Sequence, residues 1–276
     1  MNSTQCFDCL FLSFSFFFSS LLLHEPRVLP AAFAFYKFLT FPGFCFWVLC
    51  GTMKEKQVPG DFFMGKCLVF CAAEFDGLLQ DIQEEDYILA ADGGLVHVQA
   101  LGLTPNGILG DFDSLGYVPQ DSTVFPVEKD DTDAMLAVRK GLELGYREFV
   151  LYGSLDGPRL DHTVANFQTL QFLADHDAAG YLVGKDYIVT VVKNAKLSFS
   201  AAAAGIVSVF CMGSDANGVT LTGLQYPLEN GRLTAGFPLG VSNHFIGEPA
   251  EISVRDGSLL VLFDRSNGLP GREDPV

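Results

Sequence analysis

The sequence has 276 residues, an apolar fraction of 49% and a formal net charge of −16 at pH 7. This length fits one large domain or two ordinary ones, and the apolar fraction is sufficient for a hydrophobic core. The acidic excess argues strongly against a protein that binds duplex nucleic acid, because such binding depends on cationic neutralisation of phosphates. The expected partner is a small molecule.

The first 63 residues differ in composition from the rest of the chain. They hold fourteen of the 26 Phe residues and four of the seven Cys residues. Their two apolar stretches, residues 9–23 and 33–50, are not convincing membrane spans, because one is short and the other is interrupted by Lys37 and Pro42. A membrane anchor, an export signal and upstream sequence translated from a wrongly chosen start remain open. We favour the last, with Met53 or Met64 as the true start, and expect no membrane association.

The body of the chain begins with the apolar run Cys67–Ala72, which predicts a central strand of a parallel sheet. Cys67, Cys71 and Cys211 are interpreted as small buried apolar residues, because no His or further Cys lies at metal-binding spacing. The absence of a disulfide framework indicates a reducing cytoplasm.

Polar segments then recur where an apolar run ends or a helix begins. Asp92-Gly93-Gly94 follows the predicted strand 87–91 and precedes a helix over 95–103, and Gly110-Asp111-Phe112-Asp113-Ser114 follows Ile108-Leu109. Lys129-Asp130-Asp131-Thr132-Asp133 precedes a helix that ends at Gly145, and Arg159-Leu160-Asp161-His162 follows a strand over 148–153. The last segment opens a third helix, with Val164, Phe167 and Leu170 on one face.

Strands alternating with helices predict a mostly parallel sheet, which binds ligands beyond the carboxyl ends of its strands. Asp92, Asp111, Asp113, Arg159 and Asp161 should therefore meet along one rim. If the backbone is extended through Phe112, Asp111 and Asp113 point to the same side and suit Mg²⁺. The alternative is a solvated turn. Arg159 and Lys129 can neutralise phosphate oxygens, so the rim is predicted to bind metal and polyphosphate.

Short strands without helices follow residue 185 and predict an antiparallel sandwich. The predicted domains are thus an α/β domain over 64–185 and an all-β domain over 186–276. Within the second, Gly240-Val241-Ser242-Asn243 and the neighbouring Phe245 could bind a flat heteroaromatic ligand, although an ordinary loop is the favoured interpretation.

In order and spacing, these motifs resemble a bacterial thiamine pyrophosphokinase. The resemblance rests on Ala91–Gly94, Gly110–Ser114, Lys129–Asp133, Arg159–Asn166, and Gly223–Leu228 followed by Gly240–Asn243. It covers about residues 64–265 and implies an α/β catalytic domain joined to a β-sandwich. It also implies a homodimer with active sites at the interface, which converts thiamine and ATP to thiamine diphosphate and AMP.

The resemblance also implies site residues. Asp111, Asp113 and Asp133 would bind Mg²⁺ and, with Arg159, form the catalytic set, while Ser242 and Asn243 would contact thiamine. The residues implied at the nucleotide and polyphosphate site are Asp92, Gly93, Gly94, Lys129, Asp130, Thr132, Asp161 and His162. Which of Asp111, Asp113 or Asp133, if any, accepts the hydroxyl proton is open.

Two departures and two alternatives accompany this resemblance. Asp156-Gly157-Pro158 occupies the place of a paired-glycine turn before Arg159, and His244 follows Ser242-Asn243 where the family often has an acidic residue. A diphosphokinase acting on a hydroxymethyl-pterin could use the same phosphate motifs. A non-catalytic thiamine or nucleotide sensor is the other alternative.

Overall fold

The computed structural model describes residues 65–126 and 130–273, which belong to one compact unit. The predictions for residues 1–63 and for Lys129 lie outside the described residues. Among the residues that the structure describes, no helix is long and apolar enough to cross a membrane.

The described chain alternates strands with helices at first and then continues as strands. The helices are α1 (Leu95–Ala100), α2 (Asp133–Glu143) and α3 (Leu160–Asp175), with short 3₁₀ turns at Asp92–Gly94 and Arg265–Asn267. The first strands are β1 (Cys67–Phe70), β2 (Tyr87–Ala91), β3 (Gly107–Gly110), β4 (Thr123–Val124), β5 (Glu148–Tyr152) and β6 (Ala179–Val183). The later strands are β7 (Tyr187–Lys193), β8 (Lys196–Phe199), β9 (Ile206–Cys211), β10 (Ala216–Thr222), β11 (Leu228–Leu233), β12 (Gly240–His244), β13 (Ala250–Ser253), β14 (Ser258–Asp264) and β15 (Gly271–Glu273).

The larger sheet has ten strands in the order β12-β9-β14-β7-β6-β5-β1-β2-β3-β4. Strands β4, β3, β2, β1, β5 and β6 are mutually parallel, and the remaining four pair antiparallel. The predicted parallel sheet, with Cys67–Phe70 as a central strand, is therefore confirmed. Both faces of that strand are buried, which explains its continuous apolar run.

The smaller sheet has the order β11-β10-β13-β8-β15 and is antiparallel. It shares one core with the antiparallel half of the larger sheet, where the rings of Phe199 and Phe263 lie 5.1 Å apart. The predicted β-sandwich is thus confirmed, and one of its two layers continues the sheet of the α/β part.

Strand β7 shows how the sequence builds this continuity. Ile188 and Val192 face the core shared with the smaller sheet, whereas Val189 and Val191 face the core that contains Leu170 and Leu173 of α3. Alternation along a strand sends successive side chains to opposite faces, so β7 needs apolar residues at nearly every position. Since β6 and β7 are hydrogen-bonded neighbours, the domain boundary predicted at residue 185 falls inside the sheet. That boundary stays a prediction.

The helix termini follow local sequence signals, and the predicted face of α3 is confirmed at two of its three residues. The Thr132 hydroxyl accepts a hydrogen bond from the Met135 N–H at 3.2 Å, and Gly145 at φ 96° follows the end of α2. In α3, Leu170 is buried and Phe167 packs against the same core, whereas Val164 is 50% exposed. The other buried residues of the helix are Asn166, Thr169, Leu173 and Ala174. The apolar spacing did not reveal Asn166 and Thr169 because both side chains are polar.

The segment Gly240–His244 is a strand at the edge of the larger sheet, so the favoured loop interpretation is wrong. It pairs with β9, and its register shifts between Gly240 and Asn243, where Ser242 has φ 58°. A bulge of this kind accommodates residues that are typical of turns. Cys211 is half-buried rather than buried, while Cys67 and Cys71 are buried as predicted, and all three are free thiols.

Candidate active site

A cavity of about 680 Å³ lies at the carboxyl ends of the parallel strands. Its walls come from the residues that follow β1, β2, β3 and β5 and from the beginnings of α2 and α3. The polar residues that line it are Asp92, Asp111, Asp113, Ser114, Asp131, Thr132, Asp133, Ser154, Arg159, His162, Thr163 and Asn166. Seven of the fourteen predicted site residues therefore line this cavity: Asp92, Asp111, Asp113, Thr132, Asp133, Arg159 and His162.

Three carboxylates in this cavity form a compact group. Asp92, Asp111 and Asp133 each offer one oxygen, and the three oxygens lie within 4.8 Å of one another. Asp92 is 5% exposed, and its Oδ1 is buried without a hydrogen-bond partner. Because buried polar atoms are normally paired, an orphaned carboxylate oxygen is available to bind a ligand. Oxygen ligands from carboxylates suit Mg²⁺, so these residues fit a divalent cation.

The sequence prediction placed Asp92 in the nucleotide site and Asp113 among the metal ligands. The structure groups Asp92, rather than Asp113, with Asp111 and Asp133. Phe112 has φ 61° and is buried, so the backbone is not extended there. The expectation that Asp111 and Asp113 point to the same side of an extended segment is therefore wrong. The turn directs Phe112 into the core and leaves Asp113 exposed, where the Ser114 hydroxyl donates to its Oδ1 at 3.1 Å.

Glycines allow these loops to approach one another. Gly110 has φ 150°, and a Cβ built on it would lie 3.0 Å from the Cβ of Asp92. A Cβ on Gly94 would lie 1.9 Å from the carbonyl oxygen of Phe70, and one on Gly93 would lie 2.9 Å from the Cβ of Ala72. Close backbone packing therefore explains all three glycines, and nucleotide binding by Gly93 and Gly94 stays a prediction.

The start of α2 supplies Asp133 to the carboxylate group. Thr132 caps the helix, and Asp131 forms an ion pair with Arg139, whose Nε lies 3.1 Å from Oδ2. Asp131 and Thr132 line the cavity, whereas the exposed Asp130 is not among the lining residues. The helix cap thus positions Asp133, and the sequence interpretation had assigned no role to Asp131.

Arg159 and Asp161 form a bidentate ion pair at the start of α3. The Nη2 and Nε atoms of Arg159 lie 2.5 Å and 3.2 Å from the two carboxylate oxygens of Asp161. The hydrogen bonds from Arg159 lower the pKa of Asp161 to about 2, and Asp161 in turn raises the pKa of Arg159. Both side chains are exposed, but only Arg159 lines the cavity. The pair is therefore charged at neutral pH and holds the guanidinium group at the cavity edge.

Two residues of the cavity wall carried no predicted role. The Asn166 Nδ2 donates to the carbonyl oxygen of Ser154 at 2.7 Å, and both residues are buried. This bond ties α3 to the loop after β5. A polar residue on the buried face of a helix is the signal that could have revealed it.

Cys71 also lines the cavity, at the end of β1. Burial raises the pKa of its thiol to about 12, and the negative charge of Asp133 adds to this shift. A thiol with this pKa keeps its proton at neutral pH. Burial thus disfavours the thiolate form of Cys71, which agrees with its interpretation as a buried apolar residue.

Ser242 and Asn243 lie on β12 and are not among the residues that line this cavity. Asn243 is 3% exposed. Its Oδ1 accepts from the N–H groups of Tyr226 and His244, and its Nδ2 donates to the Tyr226 carbonyl oxygen. The backbone N–H of Ser242 donates to the Ser208 hydroxyl at 3.0 Å. Asn243 thus clamps the segment at Tyr226, and Ser242 is the exposed member of the pair.

Two protein-family models match this chain. The model described as thiamin pyrophosphokinase, catalytic domain, matches residues 78–181, and the model described as thiamin pyrophosphokinase, vitamin B1 binding domain, matches residues 194–259. Together the matches cover more than half of the chain. The chain belongs to the thiamin pyrophosphokinase family. As a member of that family it is an enzyme, and the resemblance seen in its motifs is confirmed.

Relatives of this family member support the assignment along both parts of the chain. Thiamine pyrophosphokinase of Bacillus subtilis is 27% identical over 183 residues, which cover 63% of this chain and 85% of the relative. The crystal structure of a Geobacillus thermodenitrificans thiamin pyrophosphokinase is 27% identical with a TM-score of 0.61 and covers 73% of this chain and 97% of that one. The crystal structure of the Bacillus subtilis enzyme is 23% identical with a TM-score of 0.63. It covers 72% of this chain and 98% of that one, and it supports the fold.

Proposed function

We propose that this family member transfers the pyrophosphoryl group of ATP to the hydroxyl group of thiamine, giving thiamine diphosphate and AMP, in the cavity above the parallel strands. The observation that carries the proposal is the buried, unpartnered Oδ1 of Asp92, which lies beside Asp111 and Asp133. Family membership supports the type of reaction, and the group of three carboxylates supports its location in this cavity. The pterin-directed alternative is not favoured, because the vitamin B1 binding domain is matched as well.

Asp92, Asp111 and Asp133 are the residues that would hold Mg²⁺. A divalent cation bound there would neutralise charge on the phosphates of ATP and so favour attack by a nucleophile. Asp113 lines the same cavity but lies outside the group of three, so its predicted coordination of Mg²⁺ stays a prediction. The charge of the group also explains why it needs a cation, since three close carboxylates repel one another.

Among the described residues, Arg159 is the Lys or Arg side chain that lines the cavity. Its planar guanidinium group can bind two phosphate oxygens at once, as it now binds the two oxygens of Asp161. We assign Arg159 to the polyphosphate and Asp161 to holding Arg159 in place. Thr132, which caps α2, would keep Asp133 oriented toward the same site.

The reaction then follows from positioning and charge. The oxygen of the thiamine hydroxyl forms a bond to the β-phosphorus of ATP, while the bond from that phosphorus to the oxygen bridging the α-phosphorus breaks. AMP leaves with the electron pair of that bond. The hydroxyl proton leaves to a base of the cavity or to water, and which of Asp111, Asp113 and Asp133, if any, accepts it is open.

Thiamine would contact Ser242 on β12, with Asn243 acting through the segment that it clamps. A homodimer would bring β12 of one copy toward the cavity of the other. This proposal is supported by exposed apolar side chains on and around the edge strand β12: Tyr226, Phe237, Leu239, Val241 and Ile246. Such a patch on an unpaired strand edge suits a second protein surface. Sedimentation of the full chain would show a dimer, and substitution of Val241 by Lys should dissociate it.

The test of the function is AMP release by the full chain with ATP and Mg²⁺. We expect AMP only when thiamine is present, and none with a hydroxymethyl-pterin or without an acceptor. Pterin-dependent AMP would change the substrate while keeping the chemistry. Binding of thiamine and ATP without AMP would instead identify the sensor that the sequence left open. The cytoplasmic location stays a prediction that cell fractionation would test.

A further inference from the structure

Asp156-Gly157-Pro158 leads into Arg159, and the side chain of Asp156 accepts a hydrogen bond from a distant turn. We propose that Asp156 is a positioning residue that fixes Arg159 for the polyphosphate by anchoring this loop to the turn between β6 and β7. The inference rests on the proposed function, because it takes the polyphosphate as the partner of Arg159.

The anchor is a hydrogen bond between two loops that are far apart in the sequence. The backbone N–H of Lys185 donates to Oδ2 of Asp156 at 2.8 Å. The neighbouring Gly184 leaves room for it, since a Cβ on Gly184 would lie 2.5 Å from the same Oδ2. The carboxylate therefore reaches the turn only because residue 184 has no side chain.

The loop is held on its other side before it reaches Asp156. The carbonyl oxygen of Ser154 accepts the bond from Asn166, and Leu155 is 7% exposed. Asp156 then has φ 58°, in the left-handed region. Gly157, Pro158 and Arg159 follow and line the cavity. Because proline restricts φ, the path from the anchor to Arg159 has little freedom.

The turn that receives the anchor is itself fixed to the antiparallel part of the protein. Nη1 of Arg265 donates to the Gly184 carbonyl oxygen at 3.1 Å, and Nη2 donates to the Gly77 carbonyl oxygen at 2.7 Å. The Gly184 N–H also donates to the Tyr187 carbonyl oxygen at 2.9 Å. Asp156 thus connects the cavity loop to a rigid point rather than to a mobile turn.

Asp156 is not among the residues that line the cavity. It therefore acts on the ligand through Arg159 and not by contact. This predicts a specific pattern: loss of the anchor should weaken binding of a ligand with phosphates and leave binding of its nucleoside part unchanged.

The experiment compares Asp156→Gly with Asp156→Asn in the full chain. Both substitutions tolerate positive φ, but only Asn keeps an oxygen that accepts the Lys185 N–H. Calorimetric titration with Mg·ATP should show about tenfold weaker binding for Asp156→Gly, consistent with loss of one hydrogen bond to a charged group. Adenosine should bind equally to both variants and to the unmodified chain, and Asp156→Asn should retain Mg·ATP affinity.

A second comparison uses Arg159→Ala. If Asp156 acts through Arg159, adding Asp156→Gly to Arg159→Ala should cause no further loss of Mg·ATP affinity. The proposal would be overturned if Asp156→Gly weakened the binding of adenosine and Mg·ATP equally. It would also be overturned if Asp156→Gly caused the same loss of Mg·ATP affinity in the Arg159→Ala background, or if the unmodified chain did not bind Mg·ATP. Mg·ATP binding with the expected pattern but without thiamine-dependent AMP would overturn the proposed function alone.

Discussion

Buried polar side chains occur both in the cavity and on the edge strand β12. The two regions differ in whether these side chains have hydrogen-bond partners. Asp92 in the cavity has an oxygen with no partner. Asn243 on β12 uses its amide for hydrogen bonds to the backbone of Tyr226 and His244. Burial alone therefore does not identify a binding residue, and the hydrogen bonds that remain unmade are the better guide.

The two regions should accordingly respond to substitution in opposite ways. An unpaired buried polar group costs about 1–3 kcal/mol of folding free energy, whereas a satisfied one contributes to stability. The cavity is a place where stability is given up for ligand binding. Strand β12 is a place where polar side chains stabilise the fold and leave Ser242 exposed for contact.

The largest expected effect separates activity from stability at Asp92. Asp92→Asn removes one carboxylate from the group of three without changing its size. We expect thiamine-dependent AMP release to fall by at least about a hundredfold because charge needed to bind Mg²⁺ is lost. The melting temperature without ligands should stay the same or rise, since repulsion within the group decreases.

Asp177→Asn is the matched control for this substitution. Asp177 is exposed, also has positive φ at 53°, and lies after α3 outside the cavity lining. Its substitution should change neither activity nor melting temperature. Near-normal turnover by Asp92→Asn at saturating Mg²⁺ would remove Asp92 from the proposed ligand set.

The second effect is on β12, where we expect substitution of Asn243 to lower stability. Asn243→Ala leaves the Tyr226 N–H and carbonyl groups without their partner, and we expect the free energy of unfolding to fall by about 1–3 kcal/mol. Ser242→Ala should keep stability and raise the KM for thiamine several-fold. Urea unfolding and initial rates measure these effects. A stable Asn243→Ala variant would contradict the clamp seen at Tyr226.

A third, smaller effect tests how tightly the cavity loops approach one another. Gly110→Ala introduces a Cβ close to Asp92 and a side chain at φ 150°, and should cost about 1–2 kcal/mol of stability together with activity. Gly116→Ala, at φ 70° with open space around it, should cost stability without changing the rate. Equal rates for the two variants would show that the approach of Gly110 to Asp92 has no influence on the site.

The smallest effect concerns the thiol at the cavity wall. Because the pKa of Cys71 is raised to about 12, its folded form keeps a proton that the unfolded thiol releases near pH 9. Its contribution to stability is therefore complete below pH 9 and decreases as the pH rises from 9 toward 12. Alkylation followed by peptide mass analysis at pH 8 should modify Cys71 only after unfolding. Rapid modification of the native protein would show that the thiol is accessible and ionised.

Much of the α/β part could be predicted because local patterns and tertiary structure agree there. Cys67–Phe70 reads as a buried parallel strand, and Thr132 and Gly145 mark the ends of α2. The buried polar residues of α3 were not predicted, because their burial depends on hydrogen bonds that apolar spacing does not show. The Thr169 hydroxyl donates to the Ala165 carbonyl oxygen within α3, whereas Asn166 bonds to Ser154 in the loop after β5.

By itself, the sequence determined the alternation of strands and helices, the acidic segments at strand ends and the resemblance that these motifs carry. Those features depend on short-range spacing, which a single sequence displays. The tertiary structure decided that Asp92 rather than Asp113 joins Asp111 and Asp133, and that Asp156 bonds to Lys185. Both outcomes depend on how loops from different strands pack, and on backbone angles such as φ 61° at Phe112 that local patterns do not specify.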